Sequence, residues 1–401
     1  MFTSDYITFM LLTGSILLLW MHVGFMLVEF GYGKPKHLGN AIIKHILIVS
    51  VSTLAFLLLG YGFMFGTDLY DGLIGTPNFG FWIINHKTKN VQFFILFQVM
   101  LATLTPAIMS GVIGNRMKLQ AILLYSFVAS ALIFPIVGHW SWGGGWLSHL
   151  PVAFHDFGGA SIIHITGGCL GLIASLLLGP RLGRYRIGKV PLKVENRVSY
   201  TLSGLFFIVS AWLGLLSGVG FSLDGISTVS FYHHILFASI ISAVMSAISA
   251  LLLSFILNKK IRRTLGIKGA IAGLVSISAG CDVVSLWSAV LIGLITGIVV
   301  TLSIDLFKKK LHIDDKIGAI SVHAVSGILG VLLTGFFSEK TGLLFGFGSA
   351  QLISQSIGVV CTLSWTLIIG LFSLEMIKLY TGLRLSAKDE LKDVDSSLRD
   401  S

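Results

Sequence analysis

The chain is built from apolar runs long enough to cross a bilayer. Eleven can be marked, at residues 6–30, 40–66, 91–113, 118–138, 158–179, 198–219, 229–257, 268–282, 285–306, 317–337 and 349–380. A hydrocarbon core takes about 20 apolar residues per helix. The eighth run is the shortest, and it parts from the ninth at Gly280-Cys281-Asp282. Of the 401 residues, 54% are hydrophobic and 11% charged, against roughly 25% charged in a soluble domain. That balance excludes a soluble globular fold, disorder, collagen and a disulfide scaffold. Strand-length alternating segments are absent, which excludes a porin-like barrel. The expected class is an all-α polytopic membrane protein of eleven helices. Its 46 glycines suit close helix approach in a bilayer.

The net charge of +10 is a topology signal. Of the 28 Lys and Arg, the loops after helices 1, 3, 5, 7 and 9 and the C-terminal tail hold 24, with Lys118, Lys268 and Lys378 at the adjoining span ends counted to them. The loops after the even helices hold Lys87, Lys89 and Lys340, and Lys44 lies within helix 2. Cytoplasmic loops carry the excess of Lys and Arg, so the N-terminus is expected outside and the C-terminus in the cytoplasm. No polybasic run suits nucleic acid. Cys169, Cys281 and Cys361 lie in apolar runs and read as small buried hydrophobes. The N-terminus lacks a basic leader region, so the first run is expected to stay as a helix. No nucleophile–base constellation, metal-ligand cluster or phosphate loop stands out, so neither an enzyme nor a cofactor is expected.

One pattern occurs twice. Residues 159–171 and 318–330 both follow Gly-Ala-x-x-x-His-x-x-x-Gly-x-x-Gly, with His164 and His323 in register. The copies fall in helices 5 and 10, which the charge pattern runs in opposite directions. The repeat is therefore inverted, dividing ten helices into halves at about 6–179 and 198–337. Such repeats build transporters with the site at the repeat interface near mid-membrane. Glycines at +4 and +7 share the face of each histidine. Buried ionisable groups in a membrane mark pathways. Two neutral imidazoles in contact would share one proton and pass another along. A lone histidine of this kind would more simply tie helices together.

These residues resemble the ammonium transporter (Amt/Mep/Rh) family along nearly the whole chain. The matching segments are Gly24–Gly31, His139–Trp146, Asp156–Gly168, Gly269–Val275, Val322–Gly330 and Thr381–Leu385. The Trp-Gly-Gly-Gly element is similar to the Amt/Mep branch. The resemblance implies ammonium or ammonia transport, with methylammonium as an analogue, in a plasma or inner cell membrane. It implies a homotrimer with one pore per subunit. His164 and His323 match the twin pore histidines. Trp142 matches the external recruitment site, where an indole face attracts ammonium. Asp156 matches an acidic residue before helix 5, expected as an N-cap. Trp140 and Trp146 read as interfacial belt residues. His139, His149 and His155 read as external-loop histidines, His233 and His234 as interfacial, and His22 and His45 have no repeat partner.

The departures lie at the entry. Aligning Phe97-Gln98 with the family's Phe-Gln puts Leu101 at the first gate position. Aligning Trp212–Gly218 puts Leu215 at the second. The family usually has phenylalanine at both. The usual recruitment serine falls at Val219, with Ser217 nearby. Leucine excludes water but offers no π-face, so weaker capture is expected, and an ammonium sensor that conducts poorly is the alternative. The membrane domain is expected over 1–382 and a cytoplasmic tail over 383–401. In relatives the tail couples subunits and engages PII-type signal proteins. Its mixed charge here predicts a solvated segment.

Overall fold

The computed structural model describes residues 4–32, 38–76, 79–80, 88–185, 197–223 and 229–392. Lys87 and residues 393–401 fall outside them. Among the described residues, eleven long helices cross the molecule. Helix α1 is Ser4–Gly31. Helix α2 runs Leu38–Ala55 and continues through a π-turn into Tyr61–Phe65. Helix α3 is Lys89–Ile113. Helix α4 runs Leu119–Val128, passes a π-turn and ends in Phe134–Ser141. Helix α5 opens with a π-segment, Ala160–Ile165, and continues as Thr166–Leu178. Helices α6, α7 and α8 are Val198–Leu223, Val229–Asn258 and Arg263–Ser278. Helix α9 is Leu286–Asp305, prolonged by a π-turn. Helix α10 opens with a π-segment, Ile320–Val325, before Ser326–Phe337. Helix α11 is Ala350–Thr381, and a short α12, Ala387–Lys392, follows. A two-residue hairpin, β1 Asp68–Leu69 with β2 Ile74–Gly75, lies after α2.

Among the described residues, ten helices are long and apolar enough to span a bilayer. The eighth, α8, has 16 residues and begins five residues before the expected 268. Leu265 and Ile267 are buried inside the bundle, so this turn is helical through packing rather than lipid contact. The inside-out pattern of a membrane fold is plain. Phe9, Ile16, Ile248, Leu252, Ile368 and Phe372 are exposed, while Ser, Thr, His and Gln side chains are buried among the apolar residues of the interior. The free cysteines Cys169 and Cys281 are buried, as their apolar runs imply, and Cys361 is half-buried.

Glycine decides how the halves meet. Helices α1 and α6, the first of each half, cross backbone to backbone. A Cβ on Gly24 would lie 2.9 Å from the Gly204 carbonyl oxygen, and one on Gly204 2.7 Å from that of Gly24. The same reciprocity holds between α5 and α10. A Cβ on Gly168 would lie 2.5 Å from the Ala324 nitrogen, and one on Gly327 3.0 Å from Ile165 Cγ1. In each copy the glycine at +4 faces the residue after the other copy's histidine. Lipid tails are as apolar as leucine, so close van der Waals packing of this kind, not hydrophobic exclusion, joins the helices.

The first part of the tail is packed, contrary to the solvated segment expected from its charge. Arg384 donates to the carbonyls of Leu178 and Pro180 at 2.8 Å each, capping the end of α5. Glu390 accepts from Arg384 Nε at 2.9 Å and from the Leu182 amide at 2.9 Å. Leu383 and Leu385 pair with Lys118 and Arg116 through the backbone. The unpaired carbonyls at a helix C-terminus attract cations, and this pull outweighs hydration of the mixed-charge segment. Next to it, burial would raise the Asp314 carboxyl, but the Arg181 fork and Arg116 hold it well below the usual carboxylate range.

Candidate functional site

Each copy of the repeat is set by the same local device. Asp156 accepts from the amides of Ala160, Ser161 and Ile162 at 2.7, 2.8 and 3.3 Å. Asp315 accepts from those of Gly318 and Ile320 at 2.8 and 2.7 Å. Between cap and helix stands a left-handed glycine, Gly159 at φ 80° and Gly318 at φ 81°. Only glycine takes that conformation without strain. A π-segment then carries the histidine in both copies. Such segments re-aim side chains and gather at functional sites. The repeat therefore extends back to a shared Asp eight residues before each histidine, a signal the sequence offered at Asp315. Burial pushes the Asp156 carboxyl up to about 6, outweighing three amide donors that favour the charged form. The same burial raises Asp315.

The two histidines meet. His323 Nδ1 lies 3.1 Å from His164 Nδ1, so one ring donates and the other accepts. Their centroids are 5.1 Å apart and nearly parallel, at 19°. Trp212 stacks on the far face of this pair, 5.5 Å from His164 at 8°. Phe25 closes the other end, edge-on to His323 at 5.9 Å. The four side chains form a column, Trp212–His164–His323–Phe25, through the centre of the bundle. The Nε2 atom of His164 and the Nε1 of Trp212 are buried without a partner among the described residues. Trp212 and Phe25 were not singled out from the sequence. The signal lay in Trp212 standing one helical turn before Leu215, the expected gate position.

Trp142 caps the end of α4 and is half-buried. Its Nε1 donates to the Asp156 carbonyl at 2.7 Å. Its ring stands over Gly159, where a Cβ would lie 3.0 Å from Cη2. Leu101 and Leu215 are fully buried, not on the lipid face. Val219 is buried, and Ser217 is half-buried with its carbonyl accepting from Tyr232.

Several aromatic and histidine residues sit differently from expectation. Trp140 is buried rather than in an interfacial belt. Its Nε1 donates to the Leu73 carbonyl at 3.0 Å, and it packs edge-on against Trp146 and Trp365. His139 lies in α4, not in a loop. It bridges the Met64 carbonyl and the Asp68 carboxylate at 2.9 and 3.0 Å, tying α4 to the hairpin. His155 pairs with Asp282 at 2.9 Å, while His149 is exposed. His22 meets Thr103 and His45 meets Glu29, both as interhelical ties.

Comparison with known proteins matches residues 8–400 to the model of the Ammonium Transporter Family. A putative ammonium transporter of Synechocystis sp. is 33% identical over 393 residues, covering 96% of this chain and 86% of that protein. The ammonium transporter Amt2 of Archaeoglobus fulgidus is 32% identical over 410 residues, covering 95% and 84%. Among solved structures, a sensor Amt protein superposes with TM-score 0.88 at 30% identity, covering 96% of each chain. Mep2 of Candida albicans superposes with TM-score 0.83 at 24% identity, covering 95% of this chain and 86% of that one, a likeness of fold.

Proposed function

Because the chain belongs to the Ammonium Transporter Family, we propose that each subunit carries ammonium through a pore centred on His164 and His323. The observation that supports this best is the 3.1 Å Nδ1–Nδ1 contact of two buried, symmetry-related rings. Trp142 offers its π-face to the hydrated cation at one mouth. Leu101 and Leu215 form an apolar constriction between that mouth and the column. A bare charge is costly in such a constriction, so ammonium sheds a proton and ammonia continues. With both rings neutral, the donor ring keeps a bare Nε2 acceptor and its partner keeps an Nε2–H donor. The pair can thus take a proton at one end and release one at the other. Asp156 serves as the cap that fixes this half of the pore.

The Lys and Arg distribution puts the Trp142 mouth outside and the tail in the cytoplasm. A homotrimer is the expected assembly. The leucine gate favours a second role, a binding protein that conducts poorly. Purified protein in liposomes on a solid-supported membrane separates the two. Ammonium and methylammonium pulses should give sustained currents. A brief binding transient that does not scale with vesicle size would support the sensor instead.

A further inference from the structure

The matching glycines of the two copies are covered by different groups. Gly159, the first residue of the first copy, is covered by Trp142. Gly318, the matching residue of the second copy, is covered by Lys268, whose Nζ would lie 3.0 Å from a Cβ there. The Lys268 ammonium stands 5.2 Å from the centroid of the Tyr32 ring. Both side chains line a cavity of about 40 Å³ on the tail side of the column that reaches Phe25 and His323. The one carboxylate in its lining, Glu29, is engaged by Lys44 and by His45 Nε2. Among the described residues no carboxylate lies within ion-pair distance of Lys268. The Asp315 carboxylate acts on this ammonium electrostatically from beyond ion-pair distance, and the cation is seated on an aromatic face with no direct carboxylate partner among the described residues.

A lysine ammonium and the ammonium ion share one recognition chemistry: a compact cation with N–H donors, attracted to a ring quadrupole. We propose that Lys268 is a tethered cation filling the symmetry-related counterpart of the Trp142 cation site. One mouth then presents an open site and the other a site already occupied by the chain itself. An ammonium ion arriving from the tail side meets a filled ring face and a like charge, so it half-saturates that mouth only at higher concentration. This rests on the transport function above and extends it to a difference between the two sides.

The test uses full-length protein, parent and Lys268→Met, which keeps the length of the stem and removes the charge. In sided proteoliposomes, half-saturation for ammonium is measured at each mouth. At the tail mouth it should fall about five-fold or more, the size of one recovered cation–π contact, and at the Trp142 mouth less than about two-fold. Adding Tyr32→Leu should abolish the gain. Equal changes at both mouths, or none, would overturn the assignment. A second arm needs no conduction: cryo-electron microscopy in saturating methylammonium. Density over the Tyr32 face is expected in Lys268→Met and not in the parent. Its absence in the variant refutes the tethered-cation role. A parent without current from either side would instead defeat the transport function, leaving the density to decide this proposal.

Discussion

Replacing His323 by Ala removes one partner of the central pair. The substitution deletes the 3.1 Å hydrogen bond to His164 and leaves the gap between His164 and Phe25, whose centroids lie 5.1 and 5.9 Å from the lost ring. Truncating a large buried side chain in a closed core costs about 3–5 kcal/mol, because the cavity stays empty. Here the gap opens into the tail-side cavity of about 40 Å³ that His323 already lines. Water can enter a polar gap of this kind and restore a partner to His164 Nδ1. The loss should then be near one hydrogen bond, about 1–2 kcal/mol, and the variant should fold. Transport should suffer far more. Positioned acid–base groups contribute about 10²–10⁴-fold, so the ammonium current should fall at least about 100-fold. The assay is solid-supported-membrane current at matched protein density, after gel filtration confirms an intact assembly. A folded His323→Ala protein with parental current would refute the relay and leave the pair only a packing role.

Further outcomes follow from other parts of the pore and its frame. Leu101→Phe with Leu215→Phe should add a π-face at the proposed gate and lower the half-saturation for ammonium about five-fold. Unchanged affinity in an intact protein would show that the leucines do not limit capture. Asp156 binds its proton more tightly folded, near pH 6, than its usual 3.8. Its contribution is full below pH 4 and is lost as pH rises through 6, about 3 kcal/mol in all. Thermal melts of the parent in detergent should show that decline relative to Asp156→Asn, and parallel pH profiles would contradict it. Gly168→Val places a branched side chain against the Ala324 backbone, 2.5 Å from where its Cβ must sit. It should abolish folded protein on gel filtration. Glu390→Ala should free the tail from Leu182 and Arg384 and speed tryptic cleavage after Arg384, while the melting of the bundle falls by only about 1 °C per kcal/mol lost.

The spans, the inverted repeat and the histidine pair were all legible in the sequence. Bilayer crossing depends on summed transfer energies along a run, and repeat symmetry depends on residue identity at fixed spacing. Both are local properties, so His164 and His323 could be matched without coordinates. The left-handed turns at Gly159 and Gly318 belong to the same class, since glycine takes that φ without strain. The shared Asp before each copy was equally local.

What only the tertiary structure decided is which groups from distant helices face one another. Trp212 and Phe25 join the histidine column because α1 and α6 cross backbone to backbone at glycines, which sets their depth and rotation. No periodicity in either helix distinguishes that face, because a membrane helix is apolar all round. Trp140 and His139 were misplaced for the same reason: an aromatic near a span end looks interfacial until a neighbouring hairpin covers it. Lys268 counts as a topology charge in the sequence and becomes a cavity cation only where α8 meets α1 and α10. Helix packing in a bilayer is fixed by close contact and not by water exclusion, and close contact is a property of pairs of surfaces that no single segment encodes.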